Sequence, residues 1–166
     1  MAFYFWNNLG ENCLNFHNRF NICKTYYNMQ HRKDGNFVIV KLDEGEDIIK
    51  SLEKVLVEEN IKNGFIVSGI GAGVELEIGY LRGKTYEREI FSPPMEITSF
   101  SGSITEGDPK MHIHINAAGP DHVTYGGHLF SGKAKPLMEI LLFSSESIKM
   151  TRELKESSGM RELKFL

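Results

Sequence analysis

From Phe65 to the end of this chain, short strand-like runs follow one another, separated by turns. The segments are FIVSGIG, VELEIGYLR, TYEREIFS, EITSFSGSI, MHIHINAA, GGHLFSGKA, MEILLFSS and SIKMTREL. In VELEIGYL, Val74, Leu76, Ile78 and Tyr80 alternate with Glu75, Glu77 and Gly79. Side chains alternate across a strand, so this pattern gives one dry and one wet face. A chain dominated by such segments must bury one face of a sheet, and connections this short favour antiparallel pairing.

Only one stretch calls for a helix. Asn36 to Leu42, NFVIVKL, is β-branched and reads as a first strand. After it, Asp43, Glu44, Glu46 and Asp47 gather where the positive end of a helix dipole would lie, and Ile48, Ile49, Leu52, Val55, Leu56 and Ile61 recur at helical spacing. Asn63-Gly64 is expected to stop it. The fold class is therefore α+β: a curved, mostly antiparallel sheet of seven to eight strands with one main helix packed on it. The stretch Ser157-Ser158-Gly159 followed by MRELKFL reads as a turn and a last short strand, or a frayed end.

At 166 residues the chain suits one such domain, with no internal repeat or low-complexity linker. Residues 1–28 are rich in Asn and aromatics and keep neither period. They are expected to form an extension, disordered or packed on a neighbouring subunit, ahead of a domain over 29–166. Met29 is an alternative start.

The chemistry concentrates between Met111 and Ser131, which hold four of the six histidines. Along MHIHINAA, His112 and His114 share one face, while Ile113 and Ile115 take the other. If the chain turns through Gly119-Pro120-Asp121-His122 and returns as Tyr125 to Leu129, His114 faces His128 across the hairpin. Opposed Cβ atoms lie about 4.5–5.5 Å apart, so three neutral imidazoles could meet at one ion. That donor set suits Zn2+ with an open fourth position. A one-residue register slip would put His128 on the wrong face. His122, in the turn, is a weaker fourth candidate, and His17 and His31 read as surface residues.

Other motifs carry less. Ser68-Gly69-Ile70-Gly71-Ala72-Gly73 follows a strand, yet phosphate-cradling glycines must open a helix, and here they open another strand. A tight bend is the expected reason for them, with Ser68, Gly69 and Gly71 as contacts for a small ligand. No serine sits in G-x-S-x-G. Glu96 and Glu106 are the glutamates nearest upstream of the histidines and the candidate general bases.

Net charge is −3 with basic residues dispersed, the opposite of a nucleic-acid footprint. The only cysteines, Cys13 and Cys23, lack zinc-module spacing and suit a reducing cytoplasm. The opening MAFYFWNN has no basic n-region and is too short to span a membrane. A cytoplasmic protein is expected.

The ordered set SGIGA (Ser68 to Ala72), E-I-x-S-x-S-G (Glu96 to Gly102) and GGH (Gly126 to His128) resembles the plant and prokaryote conserved (PPC) domain over about Asn36 to Thr151. The resemblance implies a homotrimer of α+β subunits. In plants the domain follows AT-hooks in proteins that bind AT-rich DNA. This chain has no R-G-R-P hook, and Arg82-Gly83-Lys84-Thr85 is the nearest string, so minor-groove insertion has no residues to perform it. Stand-alone prokaryotic members tend to keep H-x-H and GGH, which here are His112, His114 and His128. The resemblance thus implies a trimeric zinc-binding module with a DNA-associated or regulatory role. A zinc enzyme acting on a small substrate is the alternative.

Overall fold

In the computed structural model, residues 29–166 are described throughout. Of the segment before them it describes three short strands, β1 (Tyr4–Trp6), β2 (Asn12–Leu14) and β3 (Ile22–Lys24), paired antiparallel in that order. His17 lies outside the described residues.

The domain begins with a hairpin, β4 (Gln30–Asp34) and β5 (Phe37–Asp43), closed by Gly35 and Asn36. Sequence patterning misses β4 because QHRKD is an edge strand with no fully buried side chain and hence no apolar alternation. Helix α1 (Ile48–Glu58) follows, with the Asp47 carboxylate accepting from the Lys50 N–H at its N-cap. Of the acidic cluster only Asp47 caps the helix. Glu46 is buried and accepts from the backbone N–H groups of Met29 and Asp43, tying the starts of both chain segments together.

The helix stops earlier than Asn63-Gly64. Asn60 takes φ 51° and the Ile61 N–H returns to the Leu56 carbonyl, a left-handed C-terminal turn that asparagine tolerates. Asn63 has another task. Fully buried, its side chain accepts from the Met150 N–H at 2.8 Å and donates to Glu106 at 3.0 Å.

The main sheet has seven strands in the order β4-β5-β10-β9-β8-β6-β7, with β10 also paired to β6. Its curvature comes from two long strands, β6 (Gly64–Arg82) and β10 (Thr124–Ser144). Each unites two segments that read as separate strands in the sequence. The first half of β6 pairs with β8 (Met95–Ile104) and the second with β7 (Thr85–Phe91). The first part of β10 pairs with β9 (Met111–Ala118) and the last with β5. Because β6 and β10 also pair with each other, strands β10, β9, β8 and β6 close a ring.

Such closure demands bulges, and the β6–β10 register shifts four times. Gly71 sits at one of them, between Ala134 and Met138 of the partner strand. Its φ is 122°, and a Cβ there would lie 2.3 Å from the Leu137 carbonyl oxygen. Inside the ring, Phe100, Ile97, Ile115 and Leu129 meet Leu76 and Ile78, and Leu52 and Val55 of α1 complete the core. A separate hairpin, β11 (Met150–Lys155) and β12 (Met160–Phe165), ends the chain.

Candidate metal centre

The β9–β10 hairpin forms in the expected register. His114 is the direct cross-strand partner of His128, and Gly127 faces Ile115. Ile113, Ile115 and Ala117 are buried in the ring, which turns His112 and His114 outward. The ring centroids lie 4.9 Å apart for His112 and His114, 5.0 Å for His112 and His128, and 5.9 Å for His114 and His128.

The glycines of GGH have a steric reason. Strand β10 is clasped between β9 and β6, and a Cβ on Gly127 would meet the Gly79 carbonyl oxygen at 2.4 Å. Only glycine lets the backbone approach that closely and still deliver His128 beside His114.

One nitrogen from each of the three imidazoles falls within 4.8 Å of the others. The Nε2 atoms of His112 and His114 are 3.1 Å apart, close to the roughly 3.3 Å that two nitrogens span on a tetrahedral zinc with 2.0–2.1 Å bonds. His128 Nδ1 is buried and has no hydrogen-bond partner among the described residues. A buried nitrogen without a partner is destabilising unless something else satisfies it. The electrostatics keep two of the rings, His128 and His112, in their ligating form. Burial, then the neighbouring His112 and His114, then Arg88 and Arg152, push the pKa of His128 down to about 4. Burial, His114 and Arg152 lower that of His112. Neutral imidazole is the species that binds a metal. The residues present therefore fit a divalent ion held by three nitrogens.

Around the triad the tertiary structure adds groups from strands distant in sequence. Ser101 and Ser103 of β8 face His114 and His112 across the ladder. Phe130 and Tyr86 flank His128 with ring centroids at 4.5 and 5.2 Å, and the Arg88 guanidinium stacks 3.6 Å over the Phe130 ring. Just past His128, β10 leaves β9, and a cleft of about 510 Å³ opens there. His128, Leu129 and Phe130 form one wall of it, Ile49 and Val57 of α1 another, and Glu53 and Asp108 supply its acids.

Other residues singled out in the sequence lie elsewhere. His122 sits in the turn with φ 64° and is not among the clustered ligands. His31 hydrogen-bonds Glu59 at 2.8 Å and so ties β4 to the end of α1. Glu106 is engaged by Asn63, and Glu96 faces Ala118, well along β8 from Ser101. The clustered ligand set contains no carboxylate. Ser68, Gly69 and Gly71 lie in the half of β6 that pairs with the last part of β10, whereas Gly79 is the residue opposite His128. Gly69 packs against Phe100.

A ring-closed antiparallel sheet with one helix and an outward three-histidine cluster defines an α+β scaffold with a metal-competent face. The chain belongs to the Plants and Prokaryotes Conserved (PCC) domain family, whose sequence profile matches residues 29–146. The fold is similar to that of a candidate DNA-binding protein from Bacteroides thetaiotaomicron, with TM-score 0.76 and 28% identity, covering 82% of this chain and 97% of that one. It is also similar to a metal-containing protein from Archaeoglobus fulgidus, with TM-score 0.70 and 30% identity, covering 86% of this chain and 99% of that one. Among curated proteins, the bifunctional protein GlmU of a Synechococcus strain is 27% identical over 125 residues, or 75% of this chain. The chain spans about a fifth of the length of that relative, 19%.

Proposed function

We propose that this protein is a self-associating metal-binding module in which His112, His114 and His128 hold a divalent ion, zinc by preference. The observation that carries the reading is the convergence of three imidazole nitrogens within 4.8 Å on one outward face. The metal-containing relative from Archaeoglobus supports it. Imidazole donors suit zinc, and three protein ligands leave a position for an exogenous group.

Self-association, as a homotrimer, is supported by a second face. On β5, β10 and β6 the outward residues Phe37, Ile39, Phe143, Leu141, Phe65 and Val67 form an apolar patch, with Ile39 61% exposed. Patches of this kind mark protein–protein contacts more often than solvent. A regulatory or DNA-associated role then runs through assembly and partners, since the dispersed charge supplies no grip on a duplex.

The test is elemental analysis of natively purified protein beside a His112→Ala/His114→Ala variant. About one zinc per subunit, lost in the variant, is the expected result. Metal-free wild-type protein whose stability does not respond to added zinc would remove the reading. The cleft beside His128 favours a second reading, a zinc enzyme for a small substrate. Zinc-dependent turnover in an esterase and phosphatase screen, abolished by His128→Ala, would raise it above the first.

A further inference from the structure

Arg152 lies on β11, far in sequence from the histidines, and is only 7% exposed. A guanidinium keeps its charge at any physiological pH, so burying it calls for compensating partners. Among the described residues it has no carboxylate within ion-pair distance. Its Nε donates to the Pro109 carbonyl at 3.1 Å and its Nη2 to Ser103 Oγ at 2.8 Å. Those two bonds fasten the 105–110 loop to β8. They account for two of the five N–H groups of the fork, and both acceptors are neutral.

The position of this unanswered charge is informative. Ser103 is the ladder partner of His112, so the guanidinium sits over the same outward face as the triad. Its field reaches both His112 and His128. Arg88 adds a second positive charge on the other flank, over Phe130 beside His128, although Glu77 partly answers it at 3.4 Å. Two cations beside three imidazoles oppose a dication unless an anion enters with it. A site built only to hold a metal would be better served by a carboxylate.

We propose that Arg152 is the anion-recognising residue of the histidine face, pairing its unused fork donors with a small oxyanion, a carboxylate or a phosphate group, that fills the open position beside His112. The inference rests on the metal reading above and names the class of ligand that site receives. Planar bidentate pairing with carboxylate or phosphate is what a guanidinium does best, and a lysine in its place would supply charge without the fork.

The experiment uses the full chain, with metal content measured in every preparation. Inorganic phosphate and acetate are titrated calorimetrically into wild type, Arg152→Met and Arg152→Lys. In parallel, wild type alone is treated with phenylglyoxal with and without each anion, and modification of Arg152 is mapped by mass spectrometry, so that a variant that misfolds does not decide the matter. The expected result is anion binding to the metal-loaded protein that weakens about tenfold or more in Arg152→Met, with incomplete rescue by lysine. The bound anion should also shield Arg152 from modification. The stronger of phosphate and acetate identifies which oxyanion the site takes. Metal at one per subunit with no anion bound, or with binding unchanged in Arg152→Met and no shielding, overturns the inference and leaves the metal reading standing. If the protein carries no metal, that reading falls. The inference, which places the anion at the open position of that metal, falls with it.

Discussion

At the level of single residues, His128 couples the site to folding. In the unfolded chain its imidazole takes a proton near the ordinary value of 6.5, whereas in the fold it resists protonation down to about 4. Between those values the unfolded state binds more protons, so stability increases with pH across the window and is lost as pH falls through it. Thermal midpoints of the metal-free protein from pH 7 to pH 4 should fall accordingly, and His128→Gln should flatten the slope. Gly127 faces a steric limit at the same place. Gly127→Ala puts a methyl group against the Gly79 carbonyl, and overpacking of this kind costs about 1–3 kcal/mol. Urea denaturation should show that loss together with weakened metal uptake, because the displaced strand carries His128. The triad was legible in the sequence because period-two alternation and the turn around Asp121 fix one register. Arg152, Ser103 and Tyr86 were not legible as site residues, since no local spacing links β11, β8 and β7 to the hairpin.

At the level of elements, α1 depends on its cap and its apolar stripe. Asp47→Ala removes the acceptor for the Lys50 N–H and should cost about 1 kcal/mol. Leu52→Ala, at a fully buried position, should cost about 2–5 kcal/mol. Chemical denaturation of the two variants measures the difference, and a larger loss for Asp47→Ala would mean that Asp47 holds more than the helix end. The helix was visible from its spacing, but its end was misplaced. Asn60 and Asn63 can each follow a helix, and only the chain path shows that Asn63 is drawn into the interior to serve Met150 and Glu106. The long strands β6 and β10 read as four segments for a related reason. Bulges and glycines interrupt the alternation that marks a strand, although the backbone runs on through them.

For the whole molecule, the apolar outward face and the absence of a membrane-length apolar helix among the described residues set the expectations. Ile39→Lys combined with Phe65→Lys should disperse the proposed trimer without unfolding the subunit, since both side chains already contact solvent. Sedimentation or light scattering reads the change, and an unaltered mass would place the subunit contact elsewhere. AT-rich duplex should bind the isolated protein no more tightly than other sequences, with little dependence on salt. A steep salt slope in a fluorescence anisotropy titration would restore direct DNA binding.

The sequence by itself determined the α+β class, the main helix and the histidine hairpin, because these depend on periodicity and turn chemistry, which act over neighbouring residues. Tertiary structure alone decided that β6 and β10 close a ring, that Glu46 and Asn63 work as buried anchors, and that Arg152 comes to lie beside His112. Those outcomes depend on contacts between residues tens of positions apart, which only the packed core can fix.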